Sequence, residues 1–173
     1  LGRLRSKPSR TRDGVEVALW ANAESLEDVA KAHALGAAGV GLYRTEFLFL
    51  QRRELPGEDE QFQVYRDLVF GMSGRPVTIR TLDLGADKAD RTGLAIGDED
   101  NPALGVRGVR LALAHVEVFD TQLRAILRAS AYGPVRILVP MVSGREELLE
   151  VRRRLRRAGL QLRKQGHEIA GHV

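Results

Sequence analysis

The sequence predicts an α/β fold, a partial (β/α)8 TIM barrel comprising about the first four βα units. Short β-branched runs alternate with stretches of helical period, the pattern of parallel βαβ units. Two of the runs, Gly39-Val40-Gly41-Leu42-Tyr43-Arg44 and Val77-Thr78-Ile79-Arg80, end in an arginine with an acid close behind, Glu46 and Asp83. Four strand-then-helix units make half of an eight-unit barrel, whose usual size is about 250 residues.

Residues 1 to 14 mix Gly2, Pro8 and Gly14 with basic and hydroxyl side chains, the composition of an interdomain linker. The span 15–173 is then the N-terminal half of the barrel domain. Val15 to Trp20 is the expected first strand. Ser25 caps the next helix, answered by Asp28 three residues on, and Leu26, Val29, Ala30 and His33 recur at helical spacing until Gly36. Gly39 to Arg44 is the second strand. Phe62, Tyr65, Val69 and Met72 share one face of a second helix that opens on Glu58, Asp59 and Glu60, where acids suit the positive end of the helix dipole. Val77 to Leu82 is the third strand, followed by a Gly- and Asp-rich loop over 85–101 and a helix carrying Leu123, Ile126 and Leu127. Val135 to Val142 is the fourth strand, and Leu148, Val151, Leu155 and Leu162 mark a last amphipathic helix. A half barrel has two open edges whose unpaired backbone groups make it marginal, self-associating or completed by further residues. A chain that begins with Leu1 and stops at Val173 just after a helix has the look of an excerpt.

The 43% hydrophobic fraction is enough for a core. No run of about 18 apolar residues and no signal-peptide layout is present, so the expectation is a cytoplasmic protein without membrane insertion. The chain has no cysteine, which removes disulfides, thiolate metal sites and cysteine nucleophiles from this stretch. Its 27 Lys+Arg against 23 Asp+Glu invite a nucleic-acid reading. The excess, however, sits at Arg3, Arg5, Lys7, Arg10 and Arg12 and again at Arg152, Arg153, Arg154, Arg156 and Arg157, without interleaved aromatics to stack on bases. The expectation is no nucleic acid.

In a parallel α/β fold the C-terminal ends of the strands share one mouth, so Arg44 and Arg80 converge there. A guanidinium fork matches two oxygens of a phosphoryl group, which makes a phosphorylated anion the natural guest. The same forks stabilise charge on a phosphoryl group in transfer. The plainer alternative is an ion pair in each case, Arg44 with Glu46 and Arg80 with Asp83. The block from Asn101 to Arg110 adds Arg107 as a third anion contact, with Gly105 and Gly108 permitting close backbone approach. Asp83, Asp87, Asp98, Glu99 and Asp100 are hard oxygen ligands without diagnostic spacing, so no metal site is assigned. His33, His115, His167 and His172 are scattered and read as structural. No catalytic residue is assigned within this stretch.

These residues carry a resemblance. Gly39 to Phe49, then Leu55-Pro56 with Glu60-Gln61-Phe62 and Tyr65, then Ile79-Arg80-Thr81-Leu82-Asp83 with Gly85 and Asp87-Lys88, resemble enzyme I of the bacterial sugar phosphotransferase system. Asn101-Pro102, Leu104-Gly105, Arg107, Gln122 to Ser130 and Pro140-Met141 continue it, so that it runs from about residue 15 to 165. It covers the first half of that family's phosphoenolpyruvate-binding C-terminal barrel. Tyr43, Phe47 and Gln61-Phe62 favour enzyme I over phosphoenolpyruvate synthase and pyruvate phosphate dikinase, which share the Arg-Thr-Glu signature. Ala86 stands where the family often has a second glycine.

What the resemblance implies is a phosphoenolpyruvate-protein phosphotransferase acting in sugar uptake. Arg44 and Arg80 would bind the phosphate of phosphoenolpyruvate, with Arg107 near them. The phosphoryl group passes to a histidine on an upstream phosphohistidine domain and then to the phosphocarrier protein. The family depends on Mg2+, whose acidic ligands, like its catalytic cysteine, lie beyond Val173. The parent is expected to be a homodimer, and this stretch alone is expected to be inactive.

Overall fold

Strand pairing follows from which side chains can lie against helices, and the computed structural model, describing residues 7–50, 54–84, 94 and 105–173, has four strands side by side. These are β1 (Trp20–Ala23), β2 (Gly39–Tyr43), β3 (Val77–Arg80) and β4 (Val135–Leu138). Every neighbouring pair is parallel, and the spatial order is the chain order. A doubly wound sheet reverses its order at a switch point. Unbroken sequential order is that of a partial barrel.

Helices fill the crossovers: α1 (Leu26–Ala34), α2 (Glu46–Leu50), α3 (Glu58–Gly71), α4 (Val109–Ala114), α5 (Val116–Ala129) and α6 (Arg145–Lys164). The expected capping box opens α1: Ser25 Oγ accepts from the Asp28 amide at 3.2 Å, and Asp28 accepts from the Ser25 amide at 3.1 Å. Beyond its end, Gly36 adopts φ +78°, a left-handed turn that favours glycine. Neither five-residue α2 nor six-residue α4 was expected from periodicity, being too short to display one.

One face of the sheet packs on the helices. Val40, Tyr43, Val77, Ile79 and Val135 meet Val29 of α1, Tyr65, Leu68 and Val69 of α3, and Ala125 and Ile126 of α5 in one buried cluster. Full burial of such a side chain stabilises by roughly 1.5–3 kcal/mol. A second cluster joins Val109, Phe119, Leu123, Val151, Ala158 and Leu162 across α4, α5 and α6. On α6 the buried stripe is Val151, Ala158 and Leu162, whereas Leu148, expected on it, is 46% exposed.

The opposite face carries Trp20, Gly39, Gly41, Thr78, Arg80 and Arg136. The guanidinium of Arg136 on β4 lies 5.1 Å from the centroid of the Trp20 ring on β1. Three strand spacings separate those backbones, about 14 Å in a flat sheet, so the sheet curls toward this face. It is the concave side of an incomplete barrel.

The first strand lies later than the sequence suggests. Residues 9–17 instead form a small hairpin: Arg10 and Glu16 make an antiparallel bridge, Val17 N donates to Ser9 O at 2.7 Å, and Gly14 turns at φ +89°. Val15, Val17 and Leu19 alternate but are 59%, 44% and 60% exposed. Trp20 begins the strand because β2 offers it room. A Cβ on Gly39 would come within 2.4 Å of Trp20 Cζ3 and 2.5 Å of Pro76 O. The fourth strand also stops early, at Leu138. Pro140 lacks an N–H to donate and Met141 turns at φ +63°.

Asp87, Asp98, Glu99 and Asp100, together with Gly85, Ala86, Lys88, Asn101, Pro102 and Leu104, lie outside the described residues, as do Arg3 and Arg5. Among the described residues, no helix is long and apolar enough to cross a membrane.

Candidate functional site

Arg44 leaves the sheet at the end of β2, its amide still donating to Ala23 O at 3.0 Å. Its side chain is 44% exposed and pairs with Glu24, the first residue after β1. The sequence alternative named Glu46 as its partner. Glu46 instead opens α2 and turns to β3: one oxygen accepts from Arg80 Nη2 at 2.9 Å and from the Asp83 amide at 3.1 Å.

Arg80 ends β3 on the concave side. Besides Glu46 it faces Asp83, Nη1 to Oδ2 at 3.5 Å, so the expected pairing of these two is present. Among the described residues its Nε is buried with no hydrogen-bond partner. Arg107 joins them, donating from Nε and Nη2 to the two Asp83 oxygens at 3.1 and 3.2 Å. One carboxylate therefore brings Arg80 and Arg107 together. Arg44 belongs to the neighbouring strand end and is tied in through Thr45, whose hydroxyl donates to Arg80 O at 3.0 Å.

Gly108 explains how Arg107 reaches the mouth. At φ +56° it lies so close to the end of β4 that a Cβ would meet both Met141 Cβ and Pro140 O at 2.8 Å. The close approach expected of Gly108 is thus real, and its neighbour is the β4 turn.

Behind the arginines runs a buried polar chain that sequence reasoning missed. Gln122 of α5, 1% exposed, accepts from Leu82 N at 2.9 Å and donates to Thr45 Oγ1 at 3.3 Å and to the Tyr65 hydroxyl at 3.2 Å. Tyr65 in turn donates to Gln61 Oε1 at 3.2 Å, and Gln61 Nε2 donates to Pro56 O at 2.9 Å. Burial pushes the Tyr65 hydroxyl well above the usual tyrosine range, so it stays a neutral donor. Tyr43 is pushed up to about 12, first by burial and then by the charges of Asp28 and Glu46, which excludes it as a base near neutral pH. Glu24 was missed too; a first strand placed at 20–23 would have put it at the same mouth.

Among the described residues, the strand ends therefore carry two ionic groupings, Arg44 with Glu24, and Arg80 and Arg107 with Glu46 and Asp83. The forks present paired donors that phosphoryl oxygens can take over from carboxylate oxygens. Elsewhere, a cleft of about 820 Å³ along α6, lined by Leu149, Arg153, Arg156 and Leu160 among others, includes none of these groups. In the C-terminal basic cluster Arg154 pairs with Asp120 and Glu150, and Arg153 with Glu150.

A family model described as PEP-utilising enzyme, PEP-binding domain, matches residues 1–173. The chain is similar to the phosphoenolpyruvate-protein phosphotransferase of Cupriavidus necator, 54% identical over 168 residues, which is 96% of this chain and 29% of that protein. It is also similar to the phosphoenolpyruvate-protein phosphotransferases of Geobacillus stearothermophilus, at 46% over 163 residues, 94% of this chain and 28% of that protein, and of Staphylococcus aureus, at 42% over 173 residues, 100% and 30%. The chain thus spans less than a third of the length of these curated relatives.

Proposed function

Because the chain belongs to the family of phosphoenolpyruvate-binding domains of phosphoenolpyruvate-utilising enzymes, we propose that Arg44 and Arg80, with Arg107 beside them, bind the phosphate of phosphoenolpyruvate. The parent protein is then a phosphoenolpyruvate-protein phosphotransferase, the activity its relatives are named for. The observation that supports this reading best is the carboxylate-bridged set of forks at the ends of neighbouring parallel strands.

In this reading each guanidinium gives up part of its contact with a carboxylate and donates to phosphoryl oxygens. The forks hold the group in place and offset charge as the bond to the enol oxygen breaks. The group passes to a histidine on an upstream domain and on to the phosphocarrier protein in sugar uptake, in a cytoplasmic, homodimeric parent. This stretch supplies the phosphate grip alone and is inactive by itself. When bound, magnesium would neutralise phosphoryl charge. The described residues do not form a site for it: no group of three or more of their His, Asp or Glu side chains converges, and Glu24, Glu46 and Asp83 each face an arginine. Its ligands are assigned to the rest of the parent.

Calorimetric titration of the complete parent chain with phosphoenolpyruvate tests the reading. The native chain binds, and Arg44→Ala and Arg80→Ala each weaken binding by tenfold or more. Unchanged affinity in both variants overturns it.

A further inference from the structure

We propose that Gln122, a helix residue that touches no substrate, is a positioning residue that fixes the two arginine-bearing strand ends relative to each other. The inference rests on the reading of Arg44 and Arg80 as the phosphate-binding pair. Its own basis is the hydrogen-bond directions around one amide.

Gln122 Oε1 accepts from the amide of Leu82, two residues after Arg80, and Nε2 donates to Thr45, the residue after Arg44. Thr45 spends its single hydroxyl proton on Arg80 O. The second Nε2 proton goes to the Tyr65 oxygen, whose own proton is committed to Gln61 Oε1. Each donor therefore has one acceptor. Flipping the amide would set its NH2 against the Leu82 N–H, and a carboxylate would set a charge without a donor against Thr45 and Tyr65. Gln122, Thr45 and Tyr65 are each at most 1% exposed, so a group left unpaired there is shut off from bulk solvent. The amide is thus a clamp across β2 and β3 at the level where both chains leave the sheet. A phosphoryl group spanning two forks is sensitive to their separation, since a displacement of about 1 Å can cost on the order of a hundredfold in a positioned reaction.

The test uses the complete parent chain. Gln122→Met fills similar volume without donors or acceptors, and Thr45→Val cuts the second tie. Phosphoenolpyruvate affinity by calorimetry and exchange of the Leu82 amide are measured for the native chain, for both variants, for the double variant and for Arg80→Ala and Arg44→Ala. Gln122→Met is expected to weaken binding about tenfold and to speed Leu82 exchange, with Thr45→Val adding less than its separate effect. Gln122→Glu supplies a readout that simple loosening does not move. Its neutral acid keeps one donor and one acceptor, so its affinity relative to the native chain at the same pH recovers as pH falls. If Gln122→Met fails to fold, that recovery and the Thr45→Val affinity decide. Native-like affinity in the Gln122 and Thr45 variants, with Arg80→Ala still defective, overturns this inference alone. Native-like affinity in Arg80→Ala and Arg44→Ala as well overturns both it and the reading on which it rests.

Discussion

Asp83 holds Arg107 through both carboxylate oxygens, at 3.1 and 3.2 Å, while the second of those oxygens also lies 3.5 Å from Arg80. The Asp83 side chain is 8% exposed and that of Arg107 30%. Asp83→Ala takes a shared carboxylate from two partly buried cations, although Arg80 keeps Glu46. Breaking a fully buried pair costs about 3–5 kcal/mol, and with partial exposure about 2 kcal/mol is expected here. Urea unfolding of native and variant chains measures it.

Glu24 pairs with Arg44, so on the proposed reading it competes with an incoming anion. In Glu24→Gln the guanidinium is released to the guest, so phosphoenolpyruvate binding to the parent tightens. The pair is well exposed on both sides, so the gain is about 0.5 kcal/mol, roughly twofold in Kd. Calorimetry detects it, and weaker binding would show that Glu24 orients Arg44 instead.

Gly39→Ala places a methyl group against Trp20 Cζ3 and Pro76 O. The indole can move and the backbone carbonyl cannot, so the variant loses about 1–3 kcal/mol. Trp20→Ala combined with it does not restore stability. Thermal unfolding of the two single variants and the double variant checks this.

Asp28 accepts from the amides of Glu24 and Ser25 and from the Ser25 hydroxyl. Its pKa is held below the ordinary value of 3.8, chiefly by the Glu24 amide and then the Ser25 hydroxyl. A depressed carboxylate contributes stability that is fully present above the unfolded-state value and is lost as pH falls through the lower, folded one. Asp28→Asn therefore removes part of the acid sensitivity below about pH 4. Unfolding curves from pH 6 to 2 for both chains measure the difference.

The parallel strands, and the placing of Arg44 and Arg80 at the ends of two of them, were legible because each sits in a short run whose pattern is local. Glu24 was not, because alternation at Val15, Val17 and Leu19 drew the first strand forward, onto residues that the hairpin leaves exposed. Gln122 was hidden for another reason. It bonds to Thr45 across 77 positions of sequence, and a polar side chain on an amphipathic helix looks like surface until the fold supplies its partners. Arg107 was visible as a cation, but its carboxylate partner depends on Gly108 settling against the β4 turn.

Among the described residues, the six charged groups paired at the strand ends cancel one another, three positive against three negative. A set so balanced exerts little long-range pull of its own on ions in solution. If these forks bind a phosphoryl group as proposed, recognition becomes an exchange of partners at contact distance: a guest must displace carboxylates already seated on them. Discrimination then rests on how well its oxygens match that geometry, and a monoanion of the wrong shape gains little from arriving there.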